Sequence, residues 1–171
     1  MYKQKLCLAI GTSKTLGEEE QMLLYKKVGF DGFFTGYGND EQIANIAAAA
    51  KREGMIFQSI HAPFHHVDKL WLEDEEGDSA LKEIADCIES AAKAGVEIVV
   101  SHVWIGFDRP EKPNALGLDR YAKLVRLAAD RGVKLAFENT EGEDFLAAIM
   151  DTFKSEKHVG FCWDTGHEQC Y

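Results

Sequence analysis

The apolar positions of this chain fall into six short runs separated by longer amphipathic stretches. The runs are LCLAIG (6–11), FDGFFTG (30–36), MIFQSIH (55–61), VEIVVSH (96–102), VKLAFE (133–138) and VGFCWD (159–164). Each is mostly apolar without strict alternation, the pattern of a strand covered on both faces. Helical patterns lie between them, at 16–29, 39–54, 78–95, 116–132 and 141–155. The first opens on acids and closes on lysines and a Gly, which suits the helix dipole and a C-cap. The second offers Asn39 or Asp40 as N-cap and Gly54 as its stop. The third and fourth end at Gly95 and Gly132. A strand begins within a few residues of each closing Gly, which frees the backbone for a left-handed turn back toward a sheet.

Strands alternating with helices predict parallel strands joined by right-handed crossovers. The first strand–helix turn, GTSKTLG, does not match the dinucleotide fingerprint. Chemically active residues stand at the ends of at least four runs: His61, His102, Glu138 and Asp164. An open doubly wound sheet concentrates its site at one switch point, whereas a barrel gathers every strand end into one ring. The expected fold is therefore α/β, a (β/α) barrel of the TIM type. Such a barrel needs eight strands and about 250 residues. About six of eight units are present, so the chain is expected to be one C-terminally incomplete barrel domain over 1–171. The two longer connections, 61–78 and 102–115, follow strand C-terminal ends, where functional loops gather in such folds.

Charge narrows the partners. The 171 residues carry 19 basic and 29 acidic side chains, a net charge of −10. A duplex-binding surface carries clustered Lys and Arg, and no such cluster stands in the sequence, which disfavours nucleic acid. No apolar run reaches the roughly 18 residues of a membrane span. The N-terminus lacks the long apolar region and cleavage site of a signal peptide and reads as a first strand. Cys7, Cys87, Cys162 and Cys170 form no C-x-x-C pair. They read as reduced, mostly buried thiols of a cytoplasmic protein.

The polar strand ends carry the candidate chemistry. A carboxylate at the end of a buried strand, such as Glu138, needs a partner: an ion pair, a turn cap or a divalent ion. Asp164 and His167 come as D-T-G-H. Gly166 would permit a tight turn that folds His167 back toward Asp164, although Asp164 alone would also serve as an N-cap. His61 and His102 end adjacent strands and are either hydrogen-bonded core residues or members of a shared cavity, where imidazole serves as ligand or proton shuttle. His65 and His66 read as solvated loop residues. Phe64, Trp71 and Trp104 are candidate cavity walls, with packing the competing role. The acid run at 73–77 reads as a solvated turn leading into a helix.

With HAP at 61–63, His102, FENTEG at 137–142 and DTGH at 164–167 in this order, the chain resembles the xylose-isomerase-like barrel superfamily. That group holds sugar isomerases and epimerases and the zinc endonucleases that cut at abasic sites in DNA. In its epimerase-like branch, the resemblance implies that Glu138 is both metal ligand and catalytic acid/base and Asp164 a second ligand. His167 would be a catalytic, substrate-contacting residue, with His61, His102 and Trp104 beside the substrate. The cofactor would be a divalent ion (Mn, Mg, Co or Zn), the partner a small sugar or sugar phosphate, and the intermediate an enediolate. A histidine from a seventh strand and a glutamate from an eighth would complete that site. In the endonuclease branch, His61, His102, Glu138, Asp164 and His167 would all be zinc ligands. The second strand ends FFTGY, without the carboxylate many isomerase relatives place there. The expected function is a metal-dependent sugar or sugar-phosphate isomerase or epimerase, with the endonuclease-like phosphodiesterase second. A non-catalytic barrel remnant is a third reading. Its exposed first and sixth strands would favour homo-oligomerisation, unless a further segment covers them.

Overall fold

The computed structural model describes residues 4–107 and 112–170. Part of the 102–115 connection therefore lies outside the described residues. Six strands are present among the described residues: β1 (Cys7–Ala9), β2 (Gly32–Gly36), β3 (Ile56–His61), β4 (Ile98–Ser101), β5 (Lys134–Glu138) and β6 (Val159–Cys162). They pair in chain order, β1-β2-β3-β4-β5-β6, and every pair is parallel. Each expected strand is found, slightly shortened at one or both ends. Six sequential parallel strands with helical crossovers are the pattern of a partial TIM barrel.

The helices are α1 (Glu18–Val28), α2 (Asp40–Glu53), α3 (Glu75–Ala94), α4 (Ala115–Arg131), α5 (Glu143–Phe153) and α6 (Thr165–Cys170). Side-chain caps fix three of their starts. Asn39 accepts from the Gln42 N–H, Asp74 from Gly77 and Asn114 from Gly117. Gly29, Gly54, Gly95 and Gly132 close the first four helices in the left-handed conformation, at φ between 67° and 98°. The third helix starts earlier than the sequence suggests, because Asp74 caps it. Most of the 73–77 acid run is thus helical and complements the dipole. The 61–78 connection also holds a 3-10 helix, Val67–Trp71, that the apolar pattern did not signal.

The main core lies between the sheet and α3, α4 and α5, around Ile84, Ile88, Tyr121, Leu124, Leu135, Phe137 and Phe145. A smaller cluster of Met22, Phe33 and Ile46 holds α1 and α2 to β2. Trp71 is buried against Tyr121 and Phe145, and a Cβ at Gly117 would collide with its indole. Arg120, 5% exposed, fastens the 3-10 helix by donating to the Lys69, Leu70 and Leu72 carbonyls. The thiols depart from expectation. Only Cys87 is buried; Cys7 and Cys162 are half-buried and Cys170 is exposed, because the outermost strands and α6 have less packed over them.

Candidate metal centre

Register brings the polar strand ends together. A shift in the β2·β3 pairing puts Phe34 opposite Ser59 and Gly36 opposite His61, so Ser59 and His61 share the concave side of the sheet. His61 pairs with Val100, and His102 follows two residues later on the same side. Ala136 pairs with Gly160 and Glu138 with Cys162, which carries that side on toward Asp164. His61, His102, Glu138, Asp164 and His167 all line one cavity of about 520 Å³.

Glu138 is its centre. The side chain is only 5% exposed. Its Oε2 lies 3.1 Å from His61 Nε2 and 3.3 Å from His102 Nε2, and its Oε1 lies 3.4 Å from His167 Nδ1. Burial pushes the carboxyl up, but hydrogen bonds from His102 and His61 outweigh it and hold Glu138 well below the usual carboxylate range. His61 is pulled down by burial and raised more by its bonds to Glu138 and the Ala62 carbonyl, so the net shift is upward. Its Nδ1 lies 2.8 Å from the Ala62 oxygen, so both ring nitrogens face acceptors, as an imidazolium requires.

The sixth strand and its helix supply the rest. Asp164 Oδ1 accepts from the Gly166 and His167 N–H groups and so caps α6. The tight turn expected at Gly166 is instead the first turn of that helix, started by this cap. The helix still brings His167 back beside Glu138. Asn139, next to Glu138, bonds both backbone groups of Asp164.

The donors fit a divalent ion. Two overlapping sets, His61–His102–Glu138 and Glu138–Asp164–His167, each keep their potential ligand atoms within 4.8 Å of one another. Two donors about 2.1 Å from one ion lie roughly 3.0–3.4 Å apart at octahedral to tetrahedral angles. The contacts of His61 and His102 with Glu138 have that spacing. Imidazole and carboxylate together suit Zn, Mn or Co. Among the described residues, His102 Nδ1 is the buried side-chain atom left without a hydrogen-bond partner. Such atoms gather where a site is built for something other than its own packing.

Other expectations divide. Phe64 lines the cavity, with its ring 4.7 Å from that of His102 and 5.4 Å from that of His61. Trp104 does not: it is buried, stacks on Phe145 at 4.3 Å, and donates its N–H to Gly106. Trp71 is likewise core. Both indoles fill space under the loops that a cavity wall would leave open. His65 and His66 are exposed in their loop. The sequence reasoning passed over Ile105, Glu141 and Trp163, which also line the cavity, and the bracing by Asn139. The signal for Asn139 was available: an Asn directly after a strand end favours bonding to nearby backbone.

The family described as "Xylose isomerase-like TIM barrel" matches residues 23–171. Solved structures similar to the chain include 3-keto-D-glucoside 4-epimerase from E. coli in its apo form. The two are 20% identical with a TM-score of 0.72, over 96% of this chain and 70% of that one. D-Psicose 3-epimerase with D-tagatose, from Clostridium cellulolyticum, is 15% identical with a TM-score of 0.75, over 97% and 65%. A Thermus thermophilus protein soaked with ZnCl2 is 22% identical with a TM-score of 0.69, over 95% and 66%. At these identities the likeness is one of fold. The chain spans about two thirds of the length of these structures. No curated protein sequence matches it.

Proposed function

This chain belongs to the xylose isomerase-like TIM barrel family, and we propose that it is a metal-dependent sugar isomerase or epimerase. The observation that carries the proposal is Glu138: a buried carboxylate on the concave side of the sheet, ringed by His61, His102 and His167. Glu138 and Asp164 would hold the ion, with His61 and His102 beside it. A divalent ion there supplies polarisation of a substrate carbonyl and its neighbouring hydroxyl, which acidifies the C–H between them toward an enediolate.

The residues have distinct tasks. Glu138, ionised at neutral pH, takes up the proton from carbon and returns it. His167 hydrogen-bonds a substrate oxygen and fixes the sugar against Glu138. His102, 8% exposed and packed against Phe64, keeps water from that side. Sugar epimerases recur among the similar structures, which supports this substrate class. The four cysteines are free thiols, which fits a reducing cytoplasm. No helix among the described residues is long and apolar enough to cross a membrane.

One observation favours a second reading, a metal-dependent phosphodiesterase. His61 and His102 both meet Oε2 of Glu138, so the donors form two sets that share one carboxylate, as a two-ion site requires. The two readings are separated by assaying metal-loaded protein on ketoses and on an abasic-site duplex, with and without chelator. Metal-dependent sugar interconversion that Glu138→Gln abolishes is the expected result. Chelator-sensitive incision would establish the second reading, and a protein that binds no divalent ion would remove both.

A further inference from the structure

Glu138 and its neighbours on β6 and α6 are joined through one residue that the proposed chemistry does not use. Asn139 follows Glu138 at the end of β5. Its Nδ2 donates to the Asp164 carbonyl at 2.9 Å, and its Oδ1 accepts the Asp164 N–H at 2.7 Å. Its own N–H donates to the Cys162 carbonyl at 3.3 Å. Its carbonyl oxygen lies 3.0 Å from His167 Nδ1. The last backbone pair of the β5·β6 ladder is Glu138↔Cys162. The Asn139 amide thus acts as one further rung, a side chain standing in for the strand residue that would otherwise pair with Asp164.

Three consequences follow from this geometry. Asp164 is held at both its backbone groups, so its carboxylate cannot swing with the strand end. Its Oδ1 is already engaged by the Gly166 and His167 N–H groups, which leaves Oδ2 as the oxygen that can turn to a ligand. His167 faces the Asn139 carbonyl with Nδ1 at 3.0 Å and the Glu138 carboxylate at 3.4 Å, and both oxygens only accept. The neutral ring therefore carries its proton on Nδ1 and its lone pair on Nε2. Ligand-bearing histidines are commonly oriented in this way by a backbone oxygen.

We propose that Asn139 is a positioning residue for this site: its side chain fixes Asp164 and its carbonyl, nearer to Nδ1 than the Glu138 carboxylate, orients the ring of His167 and favours its Nδ1–H tautomer, so that both stand preassembled beside Glu138. The inference rests on the metal site proposed above for the role of Asp164. Its statement about His167 holds without a metal.

The test compares the full chain with Asn139→Ala, which removes the side-chain rung and keeps the carbonyl. A first measurement is the His167 ring-nitrogen shifts of metal-free protein at about pH 8.5, above the ordinary histidine range. Wild type is expected to show the Nδ1–H tautomer, and Asn139→Ala a mixture of tautomers as Asp164 and the start of α6 loosen. A second is Mn2+ binding by calorimetry, well below either melting temperature, where the variant should bind about 10- to 100-fold more weakly. Asn139→Asp, which keeps the acceptor and loses the donor, serves as the conservative variant and should recover part of the histidine signature. An Nε2–H tautomer in wild type overturns the proposal, as does an Asn139→Ala protein with unchanged ring shifts. An unchanged Mn2+ affinity, with only the melting temperature lowered, makes Asn139 merely structural and also overturns it. If wild type and Asn139→Ala both fail to bind Mn2+ while the ring shifts still change, the metal assignment falls and the positioning of His167 stands.

Discussion

Replacing Arg120 by Met should destabilise the chain by about 2–4 kcal/mol, because the guanidinium is the internal fastening of the 3-10 helix. The side chain is 5% exposed and donates to three carbonyls, at 3.2 Å to Lys69, 3.1 Å to Leu70 and 2.6 Å to Leu72. Lys69 keeps a partner without it, since its carbonyl also accepts the Leu72 N–H. The Leu70 and Leu72 carbonyls lose the donors seen here. A buried carbonyl without a donor costs about 1–3 kcal/mol, and bonds to a charged donor lie at the stronger end. Relief of the desolvated charge offsets part of this. The Asp78 partner adds little, because its carboxylate is largely exposed. For a chain of this size the loss corresponds to a melting temperature lower by about 5–15 °C. Urea unfolding gives the free energy directly, with Asp78→Asn as a control expected within about 0.5 kcal/mol of wild type. If Arg120→Met unfolds at the wild-type urea midpoint, the carbonyls have found other donors and the fastening role is refuted.

Two further outcomes concern the cavity and its supports. Glu138 titrates below its ordinary value, so its contribution to stability is full above about pH 4.5 and is lost as pH falls. His61 titrates above its ordinary value, so its share is full below about pH 6.5 and is lost as pH rises through the shifted value. The stability difference between metal-free wild type and Glu138→Gln should therefore peak at about pH 5–6.5 and shrink on both sides. Thermal melts across pH measure it, and a flat difference would refute the pairing. Gly142 sits at φ 88°, and a Cβ there would lie 2.6 Å from the Trp104 Cβ. Gly142→Ala should then cost about 2 kcal/mol or more in unfolding free energy, and a neutral result would mean that the Trp104 loop can shift.

The fold was legible because the strands read as apolar runs and the first four helices close on a glycine, so pattern and chemistry agree at those crossovers. The candidate site was legible where a polar side chain stands at the end of an apolar run, as at Glu138, His102 and Asp164. It was not legible where the same residue type serves packing. Trp104 and Trp71 follow polar strand ends much as a sugar platform would, yet their area is used to fill the layer between sheet and helices, through contacts with Phe145 and Tyr121 that lie far away in sequence. Arg120 was invisible for the opposite reason. Its position in a helix reads as a solvated face, and only the 3-10 helix some 50 residues earlier reveals its partners. The turn expected at Gly166 failed because Asp164 caps a helix with the same carboxylate that the motif offers as a ligand.

The distribution of the site along the sheet separates two properties that are usually measured together. His61, His102, Glu138 and Asp164 stand at or just past the ends of the consecutive strands β3 to β6, with His167 in the first turn of α6. Toward their C-terminal ends, the inward positions of β1 and β2 are Ala9, Phe34 and Gly36, which offer no ligand. On the proposed function, the donors of this chain form one continuous arc converging on Glu138, rather than scattered ligands waiting on distant strands. On that reading, ion binding would draw on Glu138 and Asp164 in this arc. On the proposed function, turnover would depend also on how a sugar is enclosed, and the similar structures have about half as much chain again. The affinity for a divalent ion and its loss in Glu138→Gln therefore test the site more directly than a rate does. An inactive protein that still binds Mn2+ through Glu138 would show that ion binding by these donors is separable from turnover.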